Sequence, residues 1–480
     1  MAFIMLLVEL FLCSRLFIVL CPVRLNDILH SHWGRRTMIR FQKINENNSI
    51  AERMEPCFKI VLINHSFQIN YFSRRWELFA EKHPNVDVTL LAPKEYEWYS
   101  NQNYTYDGGV KRTSYEFDRG NFHRRLINMK KGWVSDDYKT TFDIVKPDIV
   151  YLIGAVTPAL VQILKLRDRY YPQMKVINFS MRGPAQNLKL DIKKCDLLHK
   201  IGRIYLYLIA KGRLKYIYKN VDAIFCHYPD AIDCFRKEGY IGPIYMQTQV
   251  GVNTEWFYPD EAARKEIRNK YNIADETYLF GSATRFSSDK GLEDIINALP
   301  LEGDWKYMMM GTGSEEQVAL LNKLIASRGL EDKVILPGMI DWYEIAKYWN
   351  AIDCAIHVPR TTPGWVETFS LSVVQPQATK KPIIGNTSGS VPYQIGFDSM
   401  IVPEQDIKAL HDKIQWVFDN KDEARMIGMK MYERTVSSFS IFHLNDMLYD
   451  TLVEDVLTGK YDIAKIDMTK YSPKRYAEER

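Results

Sequence analysis

Two cations stand five residues apart in Ser282-Ala-Thr-Arg285-Phe-Ser-Ser-Asp-Lys290-Gly291. Arginine offers a forked donor and lysine a compact point charge, and a helix opened by the glycine adds unpaired backbone N–H groups. That combination suits a diphosphate. Further along, Glu367 falls between a turn cluster (Pro359, Pro363, Gly364) and a helical pattern carried by Phe369, Val373, Val374 and Ala378. A carboxylate at a strand–loop–helix junction of a parallel sheet faces the crevice where ligands collect. Gly311-Thr-Gly313 lacks the third glycine of a dinucleotide fingerprint, which argues against a nicotinamide enzyme. No Asp-x-Asp occurs, so the expectation is a site without a chelated metal.

The run Asp353–Gly396 resembles the nucleotide-sugar site of retaining GT-B-fold glycosyltransferases of family 4, the group 1 type. That family carries a Glu, seven residues and a second Glu, the first in Glu-x-Phe-Gly, followed by a helix and a Gly-x-Pro. Glu367-Thr-Phe369 matches, and Lys381-Pro382 and Gly389-Ser-Val-Pro392 match more loosely. Gln375 stands at the second acidic position, Ser370 at the usual Gly, and Tyr393 at the usual Glu after Pro392. The resemblance implies that Arg285 and Lys290 hold the donor diphosphate, Glu367 contacts the transferred sugar, and Gln375 meets the ribose. It also places Gly311, Gly313, Gly338, Met339, Thr368, Phe369, Ser370 and Leu371 around the donor. The amide of Gln375 still accepts a hydrogen bond but without charge assistance. The family often has a His after the strand that ends here at Gly154, and none stands there.

The acceptor side is read from the first half of the chain. His65, Arg74 and Arg75 follow its first strand pattern, Arg182 follows another, and His123 is the nearest histidine to the missing one. The expected activity is transfer of a sugar from a nucleoside diphosphate sugar to a glycan or polyprenyl-linked acceptor in cell-surface polysaccharide synthesis, with retention. An inverting transferase with His123 or an acidic base, and an inactive transferase-like binding partner, are the other readings.

The elements that must carry these residues alternate. Strand patterns at 58–64, 86–93, 145–154, 175–180, 221–226 and 244–250 give an α/β acceptor domain over 55–252. Those near 278–284, 306–311, 333–337, 354–358 and 382–386 give a donor domain over 253–440. Residues 441–480 read as a helix packing back plus a charged tail, and 94–120 as a long loop. With the resemblance, this alternation implies an α/β, two-Rossmann GT-B chain. Its 480 residues suit more than one domain, and a net charge of +4 does not call for nucleic acid. Seven cysteines without a C-x-x-C pair read as reduced thiols, hence a cytoplasmic chain. Residues 1–54 hold an apolar run broken by Glu9 and Arg15, read either as a membrane-associated segment or as an extension before Met54. Nine Lys/Arg interleaved with Leu, Ile and Tyr over 189–219 suit an anionic membrane surface, or equally a half-solvated helix.

Overall fold

The computed structural model describes residues 58–68, 70–94, 115–154, 157–181, 197–362 and 365–459. All of them fall in one compact unit, Pro56–Arg480. The readings made for 1–54, for Arg182 and for the tail from Lys460 lie outside the described residues.

Two sheets organise the unit. The first runs β1 (Phe58–Ile63), β2 (Val86–Pro93), β3 (Phe117–Arg119), β4 (Phe122–Ile127), β5 (Ile149–Ile153), β6 (Lys175–Phe179), β7 (Ala223–Cys226) and β8 (Ile244–Met246). Its spatial order is β3-β4-β2-β1-β5-β6-β7-β8. The second comprises β9 (Tyr278–Ala283), β10 (Trp305–Met310), β11 (Val334–Gly338), β12 (Cys354–His357), β13 (Ile383–Asn386) and β14 (Ile401–Val402), in order β11-β10-β9-β12-β13-β14. Every pairing is parallel except β3 with β4. In each sheet the strand order reverses beside the first strand, between β1 and β5 and between β9 and β12. Those reversals are the topological switch points at which doubly wound sheets bind ligands.

The continuous apolar runs that announced these strands follow from burial on both faces. In β1, Ile60 and Leu62 enter one core while Val61 and Ile63 enter another. Tyr151 and Ile153 of β5 divide from Val150 and Leu152 in the same way. This period of two means that each face needs its own cover. On one face the helix Asn70–Lys82 supplies Trp76 and Phe79, and the end of the chain returns to add Leu448, Leu452 and Val456. These last come from the helix Ile441–Asp450 and the π-wound turns Thr451–Leu457.

The stretch 94–120 is not wholly loop, because β3 lies within it and β4 follows directly. Phe122-His-Arg-Arg-Leu-Ile, on the strand next to the sheet edge, carries three polar residues in a row, which hid it from a reading based on apolar runs.

The chain passes from the first sheet to the second at Val252 and back at Ser440, and the two crossings pair. Val252 N–H donates to Phe439 O at 2.9 Å, and Ile441 N–H to Val252 O at 3.0 Å. A Cβ on Gly251 would lie 2.6 Å from Phe439 O, so the crossing strands meet only because that residue is glycine.

Candidate active site

The site is assembled at the C-terminal ends of β9 and β12. After β9 the chain makes the single turn Ser288–Lys290 and enters the helix Leu292–Ala298 through Gly291, whose φ is +66°. A Cβ there would stand 2.0 Å from Val358 O, just past β12, so only glycine lets the two loops touch. Gly311 and Gly313 serve the loop after β10 in the same way, with Cβ positions 1.9 Å from Thr284 O and 2.2 Å from Phe286 O. Phe286 N–H donates to Thr312 O at 2.8 Å and Gly311 N–H to Gly338 O at 2.8 Å. The loops after β9, β10 and β11 are therefore stapled together, and they fix the backbone that bears Arg285 and Lys290. Arg360 completes the brace from the β12 side. Its guanidinium holds both oxygens of Asp294 at 2.7 and 2.6 Å, and its N–H donates to Asp289 O at 2.8 Å.

Lys290 Nζ donates to Glu367 Oε2 at 3.0 Å, across 77 residues of chain. Its ammonium also lies 4.0 Å from the centroid of the Trp365 ring, a cation–π contact. His357 Nε2 is 3.4 Å from the same Glu367 oxygen. Burial by itself pushes the Glu367 carboxyl up, but His357 and Lys290 outweigh it and bring the carboxyl down to about 2. Glu367 is thus a buried, permanently ionised carboxylate. Its own carbonyl takes the Ser390 N–H at 2.9 Å, and Gly389, at φ +49°, would place a Cβ 2.0 Å from that carbonyl. Arg285 stands at the open side, near Ser287 Oγ (3.3 Å) and Asp289 (3.7 Å). Two cations, a fixed carboxylate and glycine-tightened loops at a switch point can hold a phosphorylated ligand and one further polar group beside it.

Residues 263–434 match the family described as glycosyl transferases group 1. This region is a group 1 glycosyltransferase domain. A GDP-mannose-dependent alpha-(1-6)-phosphatidylinositol monomannoside mannosyltransferase of Mycobacterium tuberculosis is 24% identical over 187 residues, 37% of this chain and 48% of that protein. The chain therefore spans about half the length of that curated relative. An O-antigen biosynthesis glycosyltransferase of Escherichia coli is 22% identical over 310 residues, 57% of this chain and 84% of that one. Sucrose-phosphate synthase from Thermosynechococcus elongatus superposes with a TM-score of 0.61 at 17% identity, covering 83% of this chain and 99% of that one. At that identity the likeness speaks for the fold, which is GT-B.

Within the glycosyltransferase domain, the remaining donor-side residues divide. Phe369 packs its ring on Phe439 and on His227 of the first half. Thr368 and Leu371 are half-buried, and Gly338 and Met339 lie at the end of β11, with Met339 exposed. Ser370, at the place of the usual Gly, has its backbone clamped by Gln394, which accepts the Ser370 N–H at 2.9 Å and donates to the Ser370 carbonyl at 2.9 Å. Gln375 is buried: its Oε1 accepts the Trp349 indole N–H at 3.0 Å, and its Nε2 is buried without a partner. The indole can only donate, which fixes this amide orientation.

The first half of the GT-B fold changes the acceptor-side readings more. His65 does stand at the C-terminal end of β1, beside Trp133 and with Nε2 3.1 Å from Ser66 Oγ; burial lowers it to about 4. Arg74 is ion-paired on its own helix with Glu77 at 2.7 Å and Glu81 at 3.3 Å. Arg75 faces inward. It donates to Asn445 Oδ1, Thr248 O and Leu444 O at 2.9, 2.9 and 3.3 Å, and so ties the sheet to the returning helix instead of meeting an acceptor. His123 is no base in the crevice either. It sits on β4, two strands from the switch point, between Asp118 (2.7 Å) and Asp87 (3.3 Å); the hydrogen bond to Asp87, offset in part by burial, raises its pKa.

Sequence reasoning missed His357, Arg360, Trp365, Gln394 and His227. His357, Arg360, Trp365 and Gln394 lie within the Asp353–Gly396 run, but their types alone did not mark them there; His227 comes from the first half of the chain, and only the fold brings it to Phe369.

Proposed function

We propose that this chain moves a hexose from a nucleoside diphosphate sugar to a glycan or lipid-linked acceptor, retaining the anomeric configuration, in the assembly of a cell-surface polysaccharide. One observation carries the reading: Lys290 and Glu367 meet at 3.0 Å at the C-terminal ends of β9 and β12, inside the group 1 domain. Two relatives suggest the donor and acceptor classes. One depends on GDP-mannose and acts on a phosphatidylinositol mannoside, and the other serves O-antigen biosynthesis.

On this reading Arg285 and Lys290 neutralise the diphosphate as it departs, and the ionised Glu367 orients the sugar hydroxyls. The leaving phosphate oxygen takes the acceptor proton on the same face, so the catalytic task is charge stabilisation. The cations take the place of a metal, and the rate should survive EDTA. Association with an anionic membrane surface on the cytoplasmic side is supported by the helix Leu197–Asn220. Ile204, Leu208, Lys211 and Lys215, spaced along one face, are all exposed there. No helix among the described residues is long and apolar enough to cross a membrane.

Calorimetric titration of the full chain with UDP and with GDP tests the reading, with Lys290→Ala beside it. Micromolar binding of one nucleotide, lost in the variant, is expected; turnover should fall about 10²–10³-fold, as for removal of one charge-stabilising donor. A second reading, a transferase-like partner without donor binding, is favoured by the neutral, buried Gln375, whose Nε2 has no partner. It would prevail if the folded chain bound neither nucleotide.

A further inference from the structure

We propose that His227 is a specificity-determining residue that reads the transferred sugar, its Nε2 accepting a hydrogen bond from a sugar hydroxyl beside Glu367. The inference deepens the glycosyltransferase reading and rests on it. His227 directly follows β7, on the C-terminal side of the first sheet, the side on which ligands of parallel sheets bind. It reaches the second half of the molecule. Its ring stacks on Phe369 with centroids 5.3 Å apart and planes 22° from parallel, two residues from Glu367.

The hydrogen bonds around the ring fix its tautomer. Thr248 Oγ1 donates its hydrogen to Val250 O at 2.7 Å. At 2.7 Å from His227 Nδ1, that oxygen can therefore only accept, so Nδ1 carries the proton. Burial lowers the imidazole to about 3, so the ring is neutral at physiological pH although the charge of Glu367 favours the protonated form. A neutral ring protonated at Nδ1 has its lone pair on Nε2, the nitrogen further from the strand. His227 is only 2% exposed, and the hydrogen bond its ring makes is the one at Nδ1. The Nε2 lone pair is thus left for a group that the protein itself does not supply. The group that fits is an O–H donor. Glu367, ionised, is likewise acceptor-only. Two acceptors from opposite halves of the cleft suit a polyhydroxylated ligand and do not suit the phosphate, which accepts.

The test separates sugar recognition from nucleotide recognition. The full chain and His227→Asn are titrated with UDP and GDP, then with UDP-glucose, UDP-galactose, UDP-N-acetylglucosamine and GDP-mannose. Asn places an amide nitrogen near the Nδ1 position, keeps the donor to Thr248 and removes Nε2. The expected result is an unchanged nucleotide Kd and a ratio of nucleotide-sugar Kd to nucleotide Kd that rises about ten-fold for the preferred sugar, the order of one hydrogen bond to a buried acceptor. His227→Gln, whose amide reaches the Nε2 position, should return the ratio to within about three-fold of wild type. An unchanged ratio in His227→Asn overturns the proposal, and so does equal weakening of nucleotide and nucleotide sugar, which would mark a purely structural histidine. If His227→Asn does not fold, His227→Phe, which keeps a ring against Phe369, is judged by the same ratio. A wild-type chain that binds neither nucleotide would instead overturn the donor reading, and this inference with it.

Discussion

Glu367 shows how one residue's environment overrides its chemistry. A carboxyl this buried would ordinarily be neutral, yet His357 and Lys290 keep it ionised down to about pH 2. Its pKa is depressed in the folded state, so the stability it contributes is complete above the unfolded carboxyl value of about 4.3 and is lost as the pH falls toward 2. The melting-temperature gap between wild type and Glu367→Gln should accordingly be constant from about pH 5 to 8 and narrow below about pH 4. A gap that narrows near neutrality would contradict the assigned pairing. Gln375 allows the opposite experiment. A carboxylate has two oxygens, one for the Trp349 N–H and one at the place of the unpartnered Nε2. Gln375→Glu should tighten nucleotide binding several-fold by calorimetry, at some loss of melting temperature from the buried charge. Lys290 and Glu367, singled out in the sequence by the cation pair and by the resemblance, do meet in the fold. The true surroundings of Gln375 and Ser370 were not legible there, since Trp349 and Gln394 meet them only across helix contacts.

Among the elements, the glycines of the loops do more than bend the chain. Gly291 and Gly389 combine positive φ with a backbone carbonyl 2.0 Å from the absent Cβ, whereas Gly329, at φ +63°, has nothing within 4 Å. Gly329→Ala should cost about 1 kcal/mol, the conformational penalty alone. Gly291→Ala and Gly389→Ala should cost about 3 kcal/mol or more and abolish nucleotide binding, because one loop must leave the other. Denaturant titration of the three variants decides it, and equal costs would refute the close-approach argument. The strands themselves were legible in the sequence as apolar runs, from Phe58–Ile63 to Ile383–Asn386. β4 was not, because its polar run breaks the apolar pattern; nor was β14, two residues long and defined only by its pairing with β13.

For the whole molecule the decisive contacts are those that bind its two sheets into one unit. Arg75 is fully buried, and burial lowers its guanidinium to about 10, so it remains charged at pH 7 while donating to two carbonyls and Asn445. Arg75→Met leaves those acceptors without donors and should destabilise the protein by about 3–5 kcal/mol. Calorimetry should then show the single unfolding transition broaden or split, as the returning helix Ile441–Asp450 loses its polar tie. A sharp, unshifted transition would show that apolar packing alone holds the helix. The paired crossings at Val252 and Ser440 and the stack of His227 on Phe369 belong to the same scale. By itself the sequence determined the alternation of strands and helices, and with it two Rossmann sheets, because apolar period and turn chemistry act over a few residues. It also marked the Arg285–Lys290 pair and Glu367, each by the residues immediately around it. Only the tertiary structure decided what each of them touches. The partners of Glu367, Gln375, Arg75 and His227 are 77, 26, 370 and 21 residues away, and contacts at such separations are set by how the sheets stack and where the last helix returns.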